Sequence, residues 1–331
     1  MLTTTKQNKE KQNSLFWKMC ELVLNFIKEE EGFKFIKESV KFCATITTAM
    51  IFRMCKKGDL DGVKRYVRFG GDINVKNSKG FSLLHVASYY YRSWIVNYLL
   101  CEGFDVNTLS KCGKTALHSV LSKEKRSKLV LEHNTTKWGS DYTSHLKSRT
   151  IECLVHYGVN INKRDNFGVT ALHTLCFVID RDTHTHLSYL LENGADINVR
   201  DNNGATLLHY FCKNARYCGV NVTLDLFLKN GADVNVVDNN GSTALHYAAT
   251  NSYFEKVFSY FHERIGFLHD RTDVCGNTPI HVICMHHDYD TICKTIDISQ
   301  VNFHTKNKNG SIAFDFLYKK GDSDSYKLYS K

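Results

Sequence analysis

The sequence lacks any long hydrophobic run. None of its 331 residues lie in a stretch that approaches the roughly 18 consecutive apolar residues of a membrane-spanning helix. The first residues, MLTTTKQNKEKQNS, are polar, and the apolar stretch behind them carries Lys18 and Glu21, which does not fit a secretory signal peptide. We therefore expect a cytoplasmic protein, with nuclear entry left open, whose twelve cysteines are reduced thiols.

Catalytic and metal-binding motifs are also missing. The sequence contains no H-E-x-x-H, no G-x-S-x-G and no G-x-x-x-x-G-K-[ST], and its carboxylates are scattered. The densest cluster of histidine and cysteine, HVICMHHDYDTIC at 281–293, has no C-x2-C pair of the kind that zinc sites use. These absences argue against an enzyme, and we predict no catalytic residue, no bound metal and no cofactor.

What the sequence has instead is a repeat. The stretch DNNGATLLHYFC at 201–212 returns as DNNGSTALHYAA at 238–249, 37 positions later. Further copies of the same frame read KGFSLLH, CGKTALH, FGVTALH and CGNTPIH, and they begin at Lys79, Cys112, Phe167 and Cys275. A degenerate first copy covers 51–74, and a closing fragment, KNGSIAFDFL, starts at residue 308. Such regular self-similarity indicates an architecture of stacked units rather than a catalytic loop.

Each copy combines turn-forming residues with helix-starting ones. A glycine follows a short polar tip, where a turn requires positive φ, and an aspartate three residues earlier can bond the amides of the turn. A threonine or serine then stands at the expected N-cap of a helix, and a histidine follows three residues later. One such unit cannot bury its own apolar face, so we expect neighbouring units to stack. The glycines are Gly80, Gly113, Gly168, Gly204, Gly241 and Gly276, and the histidines are His85, His118, His173, His209, His246 and His281.

Four cysteines fall on one position of the repeat. Ala249 occupies this position in the sixth copy, and Ser88 occupies it in the second. The cysteines at the same position are Cys55, Cys176, Cys212 and Cys284. We predict a site where two helices pass closely and only a small, slightly apolar side chain fits.

These motifs resemble the ankyrin repeat, whose unit of roughly 33 residues reads D-x-x-G-x-T-P-L-H-x-A-A, a second helix and then G-A-D-V-N. The resemblance covers residues 49–318 and implies an all-α solenoid of about seven helix-turn-helix repeats joined by hairpin-like loops, with a partial closing repeat from residue 308. In that family the repeated histidine hydrogen-bonds to loop backbone and fixes the turn against its neighbour. The family also implies a non-enzymatic scaffold that binds another protein through its loop tips and first helices.

Three segments depart from the repeat. Residues 1–48 carry two apolar stripes at helical spacing, which we interpret as a helical cap over the end of the solenoid. The alternative is a helix that binds a partner or dimerises. Residues of roughly 122–144 form an insertion in the third repeat, either a solvated loop or a docking element. Residues 319–331 are a polar C-terminal tail.

Two groups of residues are candidates for partner binding. The second repeat places YYYRSW at the end of its first helix and in the following turn, and Tyr, Trp and Arg dominate the energetics of protein interfaces. The alternative is that Trp94 or one of the tyrosines fills a gap between repeats. The insertion is basic at its start and contains a lone tryptophan. The candidates are Tyr89, Tyr90, Tyr91, Arg92 and Trp94 in the second repeat, and Lys125, Arg126 and Trp138 in the insertion.

The positive charge of the chain does not single out nucleic acid as the partner. The formal net charge of +9 is spread over the N-terminal third, the insertion and the tail, and no nucleic-acid-binding motif is present. Basic loops can equally meet an acidic protein face. We therefore predict a protein partner, and the sequence specifies neither its identity nor the oligomeric state.

The long, irregular repeats are similar to those of poxvirus ankyrin proteins. This looser resemblance implies a factor that interferes with host signalling from the host cytoplasm. The alternatives are an adaptor that recruits a target to the ubiquitin machinery, and a cellular or parasite scaffold. Many of the viral proteins end in an F-box-like segment with a proline at its start, whereas this chain has no proline after Pro279.

Overall fold

The computed structural model describes residues 48–122, 135–177, 179, 182–216, 219–265, 271–295 and 302–318. Within these ranges the regular secondary structure is entirely helical: seven pairs of helices follow one another, and one further helix closes the series. Two isolated β-bridges, Lys76 with Ser82 and Arg200 with Thr206, lie in the loops. The all-α repeat solenoid predicted from the sequence is confirmed.

The helices alternate between a first and a second member of each pair. The first helices are α1 (Thr48–Lys57), α3 (Leu83–Tyr89), α5 (Ala116–Leu121), α7 (Ala171–Cys176), α9 (Leu207–Asn214), α11 (Ala244–Ala249) and α13 (Pro279–His286). The second helices are α2 (Leu60–Arg68), α4 (Ser93–Cys101), α6 (Thr135–His156), α8 (Thr183–Glu192), α10 (Val220–Lys229), α12 (Phe254–Ile265) and α14 (Tyr289–Thr295). The closing helix is α15 (Ala313–Tyr318).

The helices form two layers. Each first helix lies beside the first helix of the next pair, from α1 through to α15, and the second helices form the series α2–α4–α6 and α8–α10–α12. Buried apolar side chains between the layers make a continuous core from Ile51 to Leu317. Since each pair buries its apolar face against the pairs before and after it, the stacking expected from the sequence is present.

The predicted site for small side chains lies in this core. Cys55, Cys176 and Cys212 have no exposed surface, and neither has the equivalent Ala249. Burial raises the pKa of both Cys55 and Cys176 to about 12, so these side chains pack as neutral thiols. The fourth cysteine of the series, Cys284, is likewise fully buried.

The loops between the pairs share one turn. In the loop that precedes α11, Asp238 Oδ1 accepts hydrogen bonds from the backbone N–H groups of Asn240, at 2.9 Å, and Ser242, at 2.8 Å. Gly241 completes the turn with φ of +71°. The same pair of bonds recurs at Asp165, Asp201 and Asp273, and at Asn77 and Asn307.

Successive loops are joined backbone to backbone. The N–H of Asn202 donates to the carbonyl oxygen of Phe167 at 3.0 Å, and equivalent bonds link the other loops from residue 79 to residue 308. The close approach depends on glycine, because a Cβ on Gly168 would lie 2.6 Å from the backbone nitrogen of Asn202. The loops therefore form one connected edge of the molecule.

The third pair departs from this regularity. Helix α6 has 22 residues, whereas the second helices of the other pairs have 7 to 12. It begins at Thr135, inside the insertion at 122–144, so the interpretation as a solvated loop is wrong for residues 135–144. Ser144 Oγ donates to Asp182, and Ser148 Oγ lies 3.0 Å from His186 Nε2. These two contacts hold α6 against α8. The expected cap at 1–48, apart from its last residue, and the tail at 319–331 lie outside the described residues.

Candidate partner-binding surface

Five of the six repeated histidines bond to the next loop, whereas Nε2 of His173 has no hydrogen-bond partner among the described residues. At His246, Nδ1 accepts a hydrogen bond from the N–H of Thr243 at 3.1 Å, and Nε2 lies 2.9 Å from the carbonyl oxygen of Asn277 in the next loop. Because a carbonyl oxygen only accepts, Nε2 is the protonated nitrogen. The same contact to the next loop is made by His85, His118, His209 and His281. These side chains hold the repeats together and are not available to a partner.

Burial keeps these histidines neutral. It lowers the pKa of His85 and of His173 to about 4, because removal from water disfavours the imidazolium ion. At His85 the carbonyl of Lys114 opposes this shift in pKa, and the charge of Lys76 reinforces it. Burial also lowers the pKa of His118, His209, His246 and His281.

The stretch Tyr89–Trp94 is divided between packing and exposure. Tyr91 and Arg92 are 2% and 5% exposed, so the expectation that they face a partner is wrong. Arg92 Nε donates to the carbonyl oxygen of Lys56 and Trp94 Nε1 donates to that of Gly58, each at 3.1 Å. These two side chains pack over the end of α1, and the half-buried Trp94 fills the gap between the first two repeats.

Tyr89 and Tyr90 line an open groove beside the loops, whereas Trp94 lines a separate groove between α4 and α6. The groove has a volume of about 290 Å³ and lies between the helices α3 and α5 and the loops that precede them, which we call the second and third loops because they open the second and third repeats. We call it the loop-side groove, and its walls include Lys79, Phe81, Val86, Tyr89, Tyr90 and Lys114. The two tyrosine rings meet edge to face at 5.0 Å between centroids, and Lys56 Nζ lies 5.2 Å from the centroid of Tyr90.

A second aromatic group lies on the same face, further along the chain. Phe177 occupies the position of Tyr89 in its own repeat, four residues after the histidine, and is 42% exposed. Its ring meets Tyr210 at 4.5 Å between centroids, and Tyr210 lies 6.3 Å from Tyr247. The tyrosine hydroxyls donate to Asp201 and Asp238. No motif of the sequence marks this group as a candidate site, although each tyrosine directly follows a repeated histidine.

The remaining candidates lie in the insertion. Lys125 and Arg126 fall outside the described residues. Trp138 is in the first turns of α6, and its side chain is outside the described part of the structure. Among the described candidates, the structure places Tyr89 and Tyr90 in one groove together with Lys79 and Lys114, and it places Arg92 beside Trp94, with the guanidinium carbon 5.8 Å from the centroid of the tryptophan ring.

The cluster at 281–293 has a packing role. His287 donates from Nε2 to the carbonyl oxygen of Ala249 at 2.9 Å, and its ring packs on Phe254 at 4.3 Å between centroids. In the ranges that the structure describes, no group of three or more His, Cys, Asp or Glu side chains is arranged to hold a metal ion. Over the same ranges no helix has the length and hydropathy needed to cross a membrane.

Comparison with known proteins agrees with this architecture. An ankyrin repeat protein of fowlpox virus (strain NVSL) is 26% identical over 127 residues, which are 36% of this chain and 30% of the viral protein. The similarity thus spans less than a third of that protein's length. The family model for ankyrin repeats in three copies matches residues 51–139, 142–222, 175–263 and 215–307. Since these matches together cover most of the sequence, the chain belongs to the ankyrin repeat family.

Proposed function

We propose that the protein is a non-enzymatic scaffold that binds a host protein in the cytoplasm of an infected cell and blocks or bridges it. The exposed aromatic face carries this proposal. Tyr89 and Phe177 sit at equivalent positions on the first helices, next to loops whose backbone groups are hydrogen-bonded to one another. Partly exposed aromatic side chains on a rigid support are the usual anchors of protein interfaces.

The chemistry of this face favours binding over catalysis. The buried histidines are neutral, five of the six are hydrogen-bonded to the next loop, and the hydroxyls of Tyr210 and Tyr247 are bonded to aspartates. The hydroxyls that lie beside these histidines, such as Ser82 Oγ at 2.7 Å from His85 Nδ1, belong to buried helix N-caps and offer no open surface at which a substrate could bind. The likeness to a fowlpox virus protein supports a viral setting, and hence a partner from the host.

Affinity purification from an avian cell lysate tests this function. The full chain is compared with the double variant Tyr89→Ser/Phe177→Ser, which removes two aromatic side chains from the loop-side face. The matched control is Val222→Ser/Tyr253→Ser, which removes side chains that are 55% and 41% exposed but lie on or next to second helices. All three proteins should have similar melting temperatures, because each substituted side chain is at least partly exposed.

We expect one host protein to be retained in near-stoichiometric amount by the wild type and by the control. The aromatic double variant should retain it at least about tenfold less strongly, which corresponds to about 1.4 kcal/mol of binding free energy. If the wild type retains no protein, the scaffold function is wrong. Equal retention by both double variants would place the interface away from Tyr89 and Phe177.

A further inference from the structure

We infer that the loop-side groove binds a short acidic segment of the partner protein. Its carboxylates would lie beside Lys79 and Lys114, and one apolar side chain would pack against Tyr89 and Tyr90. The inference rests on the proposed scaffold function and adds the chemistry of the partner at one surface.

The charge around the groove has one sign. Among the described residues that line it, none is an aspartate or a glutamate, and Lys79 and Lys114 pair with no carboxylate in the part of the chain that the structure describes. Residues 48–122 carry eleven lysines and arginines against five aspartates and glutamates. Asp165, whose charge acts on the nearby His118, is 8% exposed and already accepts two backbone N–H bonds. The local field therefore favours an anionic ligand.

Two further lysines make the groove rigid. Lys76 Nζ donates to the carbonyl oxygen of Leu109 at 2.9 Å, and Lys111 Nζ donates to that of Ser78 at 2.7 Å. These bonds run in opposite directions between the second and third loops, so the two loops are held at a fixed separation. A groove whose walls do not have to be ordered by the ligand loses less conformational entropy on binding.

The shape of the groove favours a polypeptide over a nucleic acid. The rings of Tyr89 and Tyr90 meet at 78° and do not present parallel faces on which successive bases could stack. A volume of about 290 Å³ accommodates a few side chains. The stretch of this chain that follows Ser122 is an unfavourable occupant, because residues 123–134 contain four basic residues against two acidic ones.

Fluorescence anisotropy on the full chain tests the inference. The probe is a labelled peptide, Gly-Glu-Glu-Leu-Glu-Glu-Gly, and its analogues carry Gln or Lys in place of Glu. At about 50 mM salt, where exposed charges are weakly screened, we expect the Glu peptide to bind at least about tenfold more tightly than the Gln peptide. The Lys peptide should not bind.

Charge reversal at the groove provides the matched comparison. Lys79→Glu/Lys114→Glu should weaken binding of the Glu peptide at least about tenfold. The control variant Lys306→Glu/Lys308→Glu changes the net charge of the protein by the same amount. Its two substitutions lie in the loop before α15, which occupies the same position in its repeat as the second and third loops do in theirs. This control should bind the Glu peptide within about threefold of the wild type, because its charges lie at least five repeats further along the array, beyond the Debye length of about 14 Å at this salt.

Three results would overturn the inference. The first is equal or absent binding of the Glu and Gln peptides, and the second is an equal loss of affinity in both charge-reversal variants. The third is a labelled single-stranded DNA 12-mer that binds more tightly than the Glu peptide and is released by Lys79→Glu/Lys114→Glu. If the host protein retained in the affinity purification binds that variant as it binds the wild type, the groove is not its site, while the scaffold function stands.

Discussion

Tyr91 holds a backbone conformation that a glycine would adopt at lower cost. Its φ of +55° lies in the left-handed region, where it is alone among the described residues other than glycine. In this conformation Tyr91 N–H donates to Ser88 at 3.0 Å and Arg92 N–H donates to Ala87 at 2.9 Å, which closes the end of α3. The conformation costs about 1 to 2 kcal/mol, and the burial of the tyrosine ring offsets it.

Replacing Tyr91 by glycine separates these two effects. The backbone strain of about 1 to 2 kcal/mol would be relieved, but loss of a buried aromatic ring costs about 3 to 5 kcal/mol. We therefore expect Tyr91→Gly to lower the free energy of unfolding by about 2 kcal/mol, as measured by urea unfolding. Tyr253→Ala, at a position 41% exposed, should change it by less than about 0.5 kcal/mol. A more stable Tyr91→Gly variant would mean that strain outweighs packing.

The buried histidines make the stability depend on pH. His85 and His173 have a pKa of about 4 in the folded protein, against about 6.5 in an unfolded chain. Between these values the unfolded chain binds protons that the folded protein does not, so the free energy of unfolding falls as the pH falls below about 6.5. Each of the two should contribute a loss of about 1 kcal/mol between pH 7 and pH 5.5.

Urea unfolding at the two pH values measures this loss. The variant His85→Gln should be less stable than the wild type at pH 7, because it breaks the bonds to Ser82 and Lys114, and should lose less stability on going to pH 5.5. Val222→Ser offers the control, since it removes no titratable group at a position that is 55% exposed and should leave the difference between the two pH values unchanged. Identical stability of the wild type at pH 7 and pH 5.5 would contradict the prediction.

At the scale of elements, the loops and the first helices can be predicted from the sequence, whereas the packing contacts between helices of different repeats cannot. The spacing of Asp238, Gly241, Thr243 and His246 is sufficient to predict the turn and the start of the helix, because each residue has a role within them. The further bond of His246 to Asn277 in the next loop was implied by the resemblance to the family. Whether Tyr91 and Arg92 are buried or exposed depends on α1 of the preceding repeat, and no local sequence pattern predicts that contact. The loop-side groove was missed for the same reason, since Lys79 and Lys114 come from different repeats.

The contact between loops can be tested at one glycine. Gly168 has φ of +77°, and a Cβ there would lie 2.4 Å from Asn202 Oδ1 and 2.6 Å from the Asn202 nitrogen in the next loop. Gly194 has φ of +88°, and a Cβ there would meet nothing within 4 Å. Both alanine variants incur the cost of positive φ, about 1 to 2 kcal/mol, but only Gly168→Ala also forces two loops apart.

We therefore expect Gly168→Ala to lower the free energy of unfolding by at least about 1 kcal/mol more than Gly194→Ala does. Urea unfolding of the two variants under the same conditions gives the comparison. Equal destabilisation would indicate that the loops separate without cost and that their ladder of hydrogen bonds contributes little.

At the scale of the whole molecule, stability is distributed along the array. Each pair of helices contacts the pairs next to it in sequence, so the free energy of unfolding is close to a sum of terms for single repeats and for the interfaces between them. The four buried cysteines provide a reporter for this property, since Cys55, Cys176, Cys212 and Cys284 lie in different repeats. Their thiols are buried in the folded protein, and burial raises the pKa of Cys55, Cys176 and Cys212, so a thiol reagent can modify the four side chains only after local unfolding.

Pulsed thiol labelling at increasing urea concentration, read by mass spectrometry, follows each repeat separately. Cys176 and Cys212 lie in adjacent central repeats and should become reactive together, whereas Cys55, whose described helices contact a neighbouring repeat on one side, should react at a lower concentration. Gly168→Ala weakens the interface between the two central repeats, so it should shift the midpoints for Cys176 and Cys212 more than that for Cys55. A single midpoint for all four cysteines, displaced equally by the substitution, would instead mean that the array unfolds as one cooperative unit.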